Sequence, residues 1–403
     1  TTNSAAAFRI QNAAGSNTLL AADTTNSRVT ISSGTSITSP GAGSNSEKFG
    51  LNAVASNTDS VALGNAASSS GAGGIVVGNG SSSSGTNSVT IGFNLDPTGS
   101  NTVNIGSANS VTNNNNGVVV GYNNTTNPSG GYAIAVGRDN TCLGACFGAF
   151  NSVSDLAVSN RTTLGINNTV SQSANSITSG YLNTMSSGTN AQIYGSSNSY
   201  TGNGSNGFGG ILGYNNDIDG SGVTAGVGSY AFGTNNSITV TSASGGDTFA
   251  IGVINSITGQ NSIVVGDTNN MAGQNSLVLG ISNTSDGSSD DNIFIGQGNS
   301  ASTNRTNFTL IGFNNSAGGA NSSDGIAIGT NNVAQDRGAS IGRGNSSAGE
   351  DSYLFGNGNV MNGQFSYVVG ASNIGSGTNS SGATALLGFS NNLVQTGAQA
   401  DTA

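Results

Sequence analysis

Apolar residues in this chain come in threes. Triplets such as Val61-Ala62-Leu63, Ile75-Val76-Val77, Ile263-Val264-Val265 and Ile293-Phe294-Ile295 are each followed by a glycine, and polar runs of Ser, Thr, Asn and Gly separate one triplet from the next. The unit is written twenty-three times between Gly50 and Gly388. Where copies abut, the glycines fall fourteen residues apart, as at Gly50, Gly64, Gly78, Gly92 and Gly106, or at Gly252, Gly266 and Gly280. A β-branched triplet bounded by glycine predicts a short strand, and the Asn269-Asn270-Met271-Ala272 piece that follows predicts a second, poorer one. Helix is excluded, because a glycine in every repeat interrupts any 3.6-residue apolar stripe. So short a period predicts an all-β chain: a parallel β-solenoid of about 23 coils, each with two strands and two corners.

One corner has a fixed text. From Gly106 onward every repeat glycine is followed three residues later by asparagine, while the four earlier coils carry Ala53, Ala67, Ser81 and Leu95 there. The glycine fits a corner that needs positive φ or close backbone approach. The asparagine allows two readings: αL geometry at that corner, or an amide ladder in which each side chain bonds to the coils above and below. Nineteen unbroken registers favour a structural ladder, with Asn109, Asn124, Asn140, Asn198, Asn269, Asn283, Asn299, Asn315, Asn332, Asn345, Asn359, Asn373 and Asn391 among its members.

The middle residue of each triplet is apolar in seventeen coils and polar in six. If the flanking residues fill the coil, the middle one faces outward, since side chains alternate along a strand. Strands apolar on both faces are buried on both faces. The expectation is therefore a self-association face made by Val76, Val119, Val264, Val278, Phe294, Leu310, Leu354, Val368 and Leu386, through which copies pack together. Longer repeats add residues between the asparagine corner and the next triplet, as in 126–131, 217–229 and 286–291, which places variable loops, and any recognition, along one edge.

Residues 1–45 lack the repeat. Three runs around Phe8, Leu19 and Val29 predict strands of a small N-terminal lead-in or cap, followed by the repeat domain at 46–392 and a tail at 393–403. Only 6% of residues are charged, so backbone ladders rather than salt bridges must supply order. The net charge of −10 without a basic cluster argues against nucleic acid. Histidine is missing, which removes the commonest general base and metal ligand, and no cofactor or enzymatic activity is expected. No run of about eighteen apolar residues is present, so this segment is not expected to insert in a membrane. Scarce Lys and Glu point to an extracellular or cell-surface setting.

The stretch Asp59-Ser60-Val61-Ala62-Leu63-Gly64-Asn65-Ala66-Ala67-Ser68-Ser69, preceded by Lys48-Phe49-Gly50-Leu51-Asn52-Ala53-Val54-Ala55, resembles the head repeats of trimeric autotransporter adhesins, the YadA-like head. The resemblance covers roughly residues 46–392, closely at first and loosely later, where Asn replaces Ala at the corner and repeat length varies. It implies a left-handed β-roll, a homotrimer, and a surface fibre that attaches to host or abiotic ligands. Residues Ala7 to Ile31 are similar to segments of phage tail fibres and very large bacterial surface proteins.

Smaller features carry weaker chemistry. An extended Cys142–Cys146 span is too long for a disulfide unless the chain turns at Gly144, so two small buried hydrophobes are expected. Asn215, Asp217 and Asp219 have the alternate oxygens of a calcium loop but not its closing glutamate. Aromatic residues follow several repeat glycines (Phe93, Tyr122, Tyr181, Tyr214, Phe313, Phe389) and read as corner plugs, or as adhesive contacts if exposed. An ice-binding solenoid would need a flat regular array of Thr on one face, whereas the triplet middles are mostly aliphatic and the Thr positions scatter. The reading is an adhesin-like extracellular fibre, with a purely structural filament or phage-fibre shaft as the alternative.

Overall fold

The computed structural model describes residues 8–11, 18–23, 28–31, 40–127, 133–154, 160–202, 208–220, 228–241, 246–286, 290–301, 306–318, 323–377 and 384–395. All regular structure among them is β, and each repeat is one coil of a parallel β-solenoid. The chain divides into two compact units, Thr1–Ala133 and Ile134–Ala403.

In the first unit, strands Phe8–Gln11, Thr18–Asp23 and Arg28–Ile31 form an antiparallel sheet in chain order. The solenoid coils of this unit stack their long strands in parallel from Glu47–Phe49 to Val118–Tyr122. The second unit continues the same plan from Ile134–Arg138 to Thr384–Phe389, with a second parallel sheet built from the short strands. Register is strict: Ile263 pairs with Leu277, Val264 with Val278 and Gly266 with Gly280. The long strand does not stop at the glycine but runs through it, as in Ile263–Asp267, and Asn270–Ala272 is the short strand of the same coil.

The interior is a set of columns one residue wide. In the coil of Gly266 these are Ser262, Val264, Asn269 and Met271, all at most 1% exposed. So few inward positions leave little volume, and bulk in one coil is matched by its absence in the next. The Phe308 ring lies where a Cβ on Gly325 would stand, and the Tyr200 ring where one on Gly209 would. A larger residue at either glycine would overpack the coil.

The middle residues of the triplets therefore point into the coil, which reverses the expected orientation. Val76, Val119, Val264, Val278, Phe294, Leu310, Leu354, Val368 and Leu386 are all buried, most of them completely, within a single chain. Their flanking neighbours face outward: Ile263 is 44% exposed, Leu212 53% and Tyr367 58%. The premise that triplets are apolar on both faces stands, with the two faces exchanged.

Candidate functional surfaces

The glycine–asparagine corner is a hydrogen-bonding device with no spare valence. The Asn269 amide nitrogen donates to Oδ1 of Asn255 at 2.9 Å and to the carbonyl oxygen of Gly280 at 2.8 Å. Its own Oδ1 accepts from the backbone N–H of Asn283 at 3.0 Å and from the Asn283 amide at 2.9 Å. Two donors and two acceptors are the whole capacity of the side chain. The same amide-to-amide bonds recur from Asn299 through Asn315 to Asn332, and from Asn359 through Asn373 to Asn391. Asn109 and Asn124 are linked likewise in the first unit. Asn198 bonds to Asn183, Asn345 receives the Asn359 amide, and Asn140 receives the Asn151 amide.

The αL conformation belongs to the residue before each of these asparagines, such as Thr268 (φ 59°) and Ser282 (φ 55°), not to the asparagine. The repeat glycine is fixed by a separate constraint. Gly266 has φ 136°, and a Cβ there would collide with the carbonyl of Gly280 in the next coil. In the early coils Ser81 performs part of the amide's work: its hydroxyl donates to the Gly92 carbonyl at 3.1 Å and accepts from the Leu95 N–H at 3.2 Å.

The outward face of the long-strand sheet is apolar along both units. Immediately before the repeat glycine stand Phe49, Leu63, Val77, Ile91, Ile105 and Val120 in the first unit. In the second unit every coil but that of Ser179 has a large apolar residue there, among them Leu212, Phe232, Ile251, Ile295, Phe355 and Val369. Two positions earlier, rings from adjacent coils stack, Tyr230 on Phe249 at 5.1 Å and Tyr353 on Tyr367 at 5.0 Å. Contiguous exposed apolar surface of this extent marks an interaction face.

The residues after the glycines extend this character round the corner. Phe93, Tyr122, Tyr181, Tyr214, Phe313 and Phe389 are between 43% and 74% exposed, so they are not plugs. Phe150, Leu182 and Ile254 stand exposed at the αL position itself, and Arg138 lies 4.8 Å over the Phe150 ring. A β-branched residue such as Ile254 in αL runs against its own steric preference.

Cys142 and Cys146 are both fully buried and form a disulfide. The chain turns between them at Leu143-Gly144, which brings the end of short strand Thr141–Cys142 to the start of long strand Ala145–Ala149 and leaves the Cα atoms 6.1 Å apart. This corrects the expectation of two unpaired hydrophobes, which assumed an extended span.

The calcium reading finds no convergent geometry. Asn215 sits at the αL corner and donates to Asn235, while Asp217 and Asp219 point outward from strand Asp217–Asp219 with buried Ile218 between them. Among the described residues no three His, Cys, Asp or Glu side chains group to hold a metal. The main charge cluster is on the other corner, where Arg337 grips Asp351 through Nε and Nη2 at 2.9 and 3.0 Å and reaches Glu350 and Asp336. The hydrogen bond from Arg337 holds the Asp351 carboxyl below its usual range and raises the guanidinium in turn. Such an exposed cluster contributes little stability.

Of the insertions, residues 128–132, 221–227 and 287–289 lie outside the described residues, as do 396–403 of the tail. Thr126 and Ser229, named as insertion bounds, are instead buried strand residues. Among the described residues no helix is long and apolar enough to cross a membrane. Comparison with family models and with curated proteins finds no match for this chain.

Proposed function

We propose that the chain is part of an extracellular surface fibre whose copies associate side by side through the outward face of the long-strand sheet. The observation that carries this reading is the apolar column before the repeat glycines, interrupted only at Ser179 and flanked by stacked rings. Water disfavours such a face on an isolated solenoid, and lateral association of like chains would cover it at every coil. Three left-handed β-rolls about a common axis is the arrangement that the head-repeat resemblance supports. The buried Cys142–Cys146 bond supports folding in an oxidising compartment, outside the cytosol.

Within that reading the chain is not an enzyme and needs no cofactor. It acts by presenting surfaces, and attachment to a host or abiotic ligand is its task. A purely structural filament is the second reading, favoured by how much of each coil is committed to stacking. Light scattering and native mass of the intact chain test the proposal: a stable trimer, converted to soluble folded monomers by Ile263→Lys with Val369→Lys, is expected. A parent chain that is monomeric at micromolar concentration would overturn it.

A further inference from the structure

We propose that the outward face of the short-strand sheet in the second unit, between Ser152 and Thr258, adsorbs to ice. Seven successive short strands, from Ser152–Ser154 through Thr184–Ser186 to Ser256–Thr258, carry an oxygen-bearing side chain at both outward positions. Six of the seven carry hydroxyls at both, and Asp217 with Asp219 is the exception. The register aligns them without slippage into two columns, so Ser152 lies beside Thr169, Thr169 beside Thr184, and Ser237 beside Ser256. Leu143 on one side and Ala272 on the other end the array.

The residue between the two columns is buried in every one of these strands, from Val153 to Ile257, which fixes the outward direction of its neighbours. Neighbouring hydroxyls are also close enough to orient one another, Ser186 donating to Thr201 at 3.2 Å. The result is a two-column grid with a repeat of about 4.8 Å along the stack and roughly 7 Å along the strand, running for about 29 Å. Those repeats are close to the spacing of oxygen rows on the prism faces of hexagonal ice.

The chemistry of the grid selects among partners. It lacks the aromatic or large apolar anchors that dominate protein interfaces. It has no basic side chain for a phosphate backbone, and no aromatic platform or groove for a sugar ring. What it offers is many weak hydrogen bonds held rigid beforehand, so that little ordering entropy is lost on contact with another periodic surface. The apolar long-strand face is a separate surface, so this inference does not depend on the mode of self-association.

The test is partition into a slowly growing ice shell, with inhibition of ice recrystallisation as a second readout. The intact chain should be enriched in the ice several-fold over a bystander protein. Thr184→Lys and, three coils away, Thr239→Lys should each abolish enrichment while far-UV circular dichroism and assembly size stay as in the parent. Thr234→Lys, at the glycine corner, should keep it. Exclusion of the intact chain from ice would overturn the proposal, as would full enrichment of both array variants. Retention on crystalline cellulose without ice enrichment would overturn it in favour of a polysaccharide ligand.

Discussion

The side-chain amide of Asn269 reaches into the following coil and donates to the carbonyl oxygen of Gly280 at 2.8 Å. Glycine and asparagine are thus halves of one device. With no side chain, the glycine lets successive backbones approach; its carbonyl then needs a donor, and the asparagine of the coil before supplies one. Because the amide also bonds to the asparagine on either side, each coil is clamped to both neighbours at a corner where the backbone ladder turns.

Asn269→Ala should therefore destabilise the second unit by about 2 to 3 kcal/mol, since the Gly280 carbonyl and the Asn283 amide lose partners in a buried setting. The effect should be local, as expected of a stack whose coils touch only their neighbours. Hydrogen exchange checks this: amides of Asn283 and Ser256 should lose protection, while those near Asn359 should not. Asn269→Asp should be worse than Ala, because it places an unpaired charge in the ladder and removes both donors. A chain with unchanged exchange at Asn283 would reduce the ladder to decoration of a backbone-driven corner.

Ile293 and Phe294 are sequence neighbours on opposite sides of one strand, the first 38% exposed and the second fully buried. Phe294→Ala should lower stability by about 3 to 5 kcal/mol through the cavity it leaves. Ile293→Ser should leave the melting of an isolated coil stack within about 0.5 kcal/mol and act on association instead. Chemical denaturation at low concentration separates the two effects, and equal damage from both would contradict the inward and outward assignment.

Much of this fold was legible because glycine leaves a one-residue mark at a fixed place in every coil. The period, the two strands and the parallel stack follow from it. Which face of the triplet points inward was not, since alternation says nothing when both faces are apolar. A signal was present nonetheless. The middle column holds Ala62, Ala135, Ala231, Ala250, Ala327 and Ser340, whereas Tyr, Phe and Ile crowd the flanking columns. A thin coil takes small residues inside more often, although Phe294, Leu310 and Leu354 also fit there, so the signal lies in the frequency of alanine and not in an upper size limit. The hydroxyl grid was not legible because its Ser and Thr positions scatter along the sequence, at unequal repeat lengths, until the register brings them into columns. The disulfide escaped because its four-residue span was taken as extended across what is a bend at Gly144.

The Cys142–Cys146 bond closes so small a loop that chain entropy assigns it only about 2 kcal/mol. Mass spectrometry of the unfolded, unreduced chain after alkylation should find both thiols protected. Cys142→Ala with Cys146→Ala should still fold, because both positions are interior columns that accept small residues. Its denaturation midpoint should fall modestly, and the parent should match it once reduced in denaturant. Two alkylated cysteines in the unreduced parent would remove this support for an oxidising compartment.

Tyr200 gives the second unit a defined alkaline limit. Its ring fills the coil interior against Gly188 and Gly209 and is 3% exposed. Burial, followed by the influence of Tyr230, pushes its hydroxyl from 10.0 up to about 12. The folded state therefore holds the proton more tightly than the unfolded chain, which gives a contribution fully present below pH 10 and lost as pH rises from 10 towards 12. Two pH units correspond to at most about 2.7 kcal/mol. Tyr200→Phe keeps the ring and removes the ionisation, so its stability should decline less steeply than the parent's across that window. Difference ultraviolet titration should show one fewer late-titrating phenol. If the two chains lose stability in parallel between pH 10 and 12, the buried ring does not set the limit.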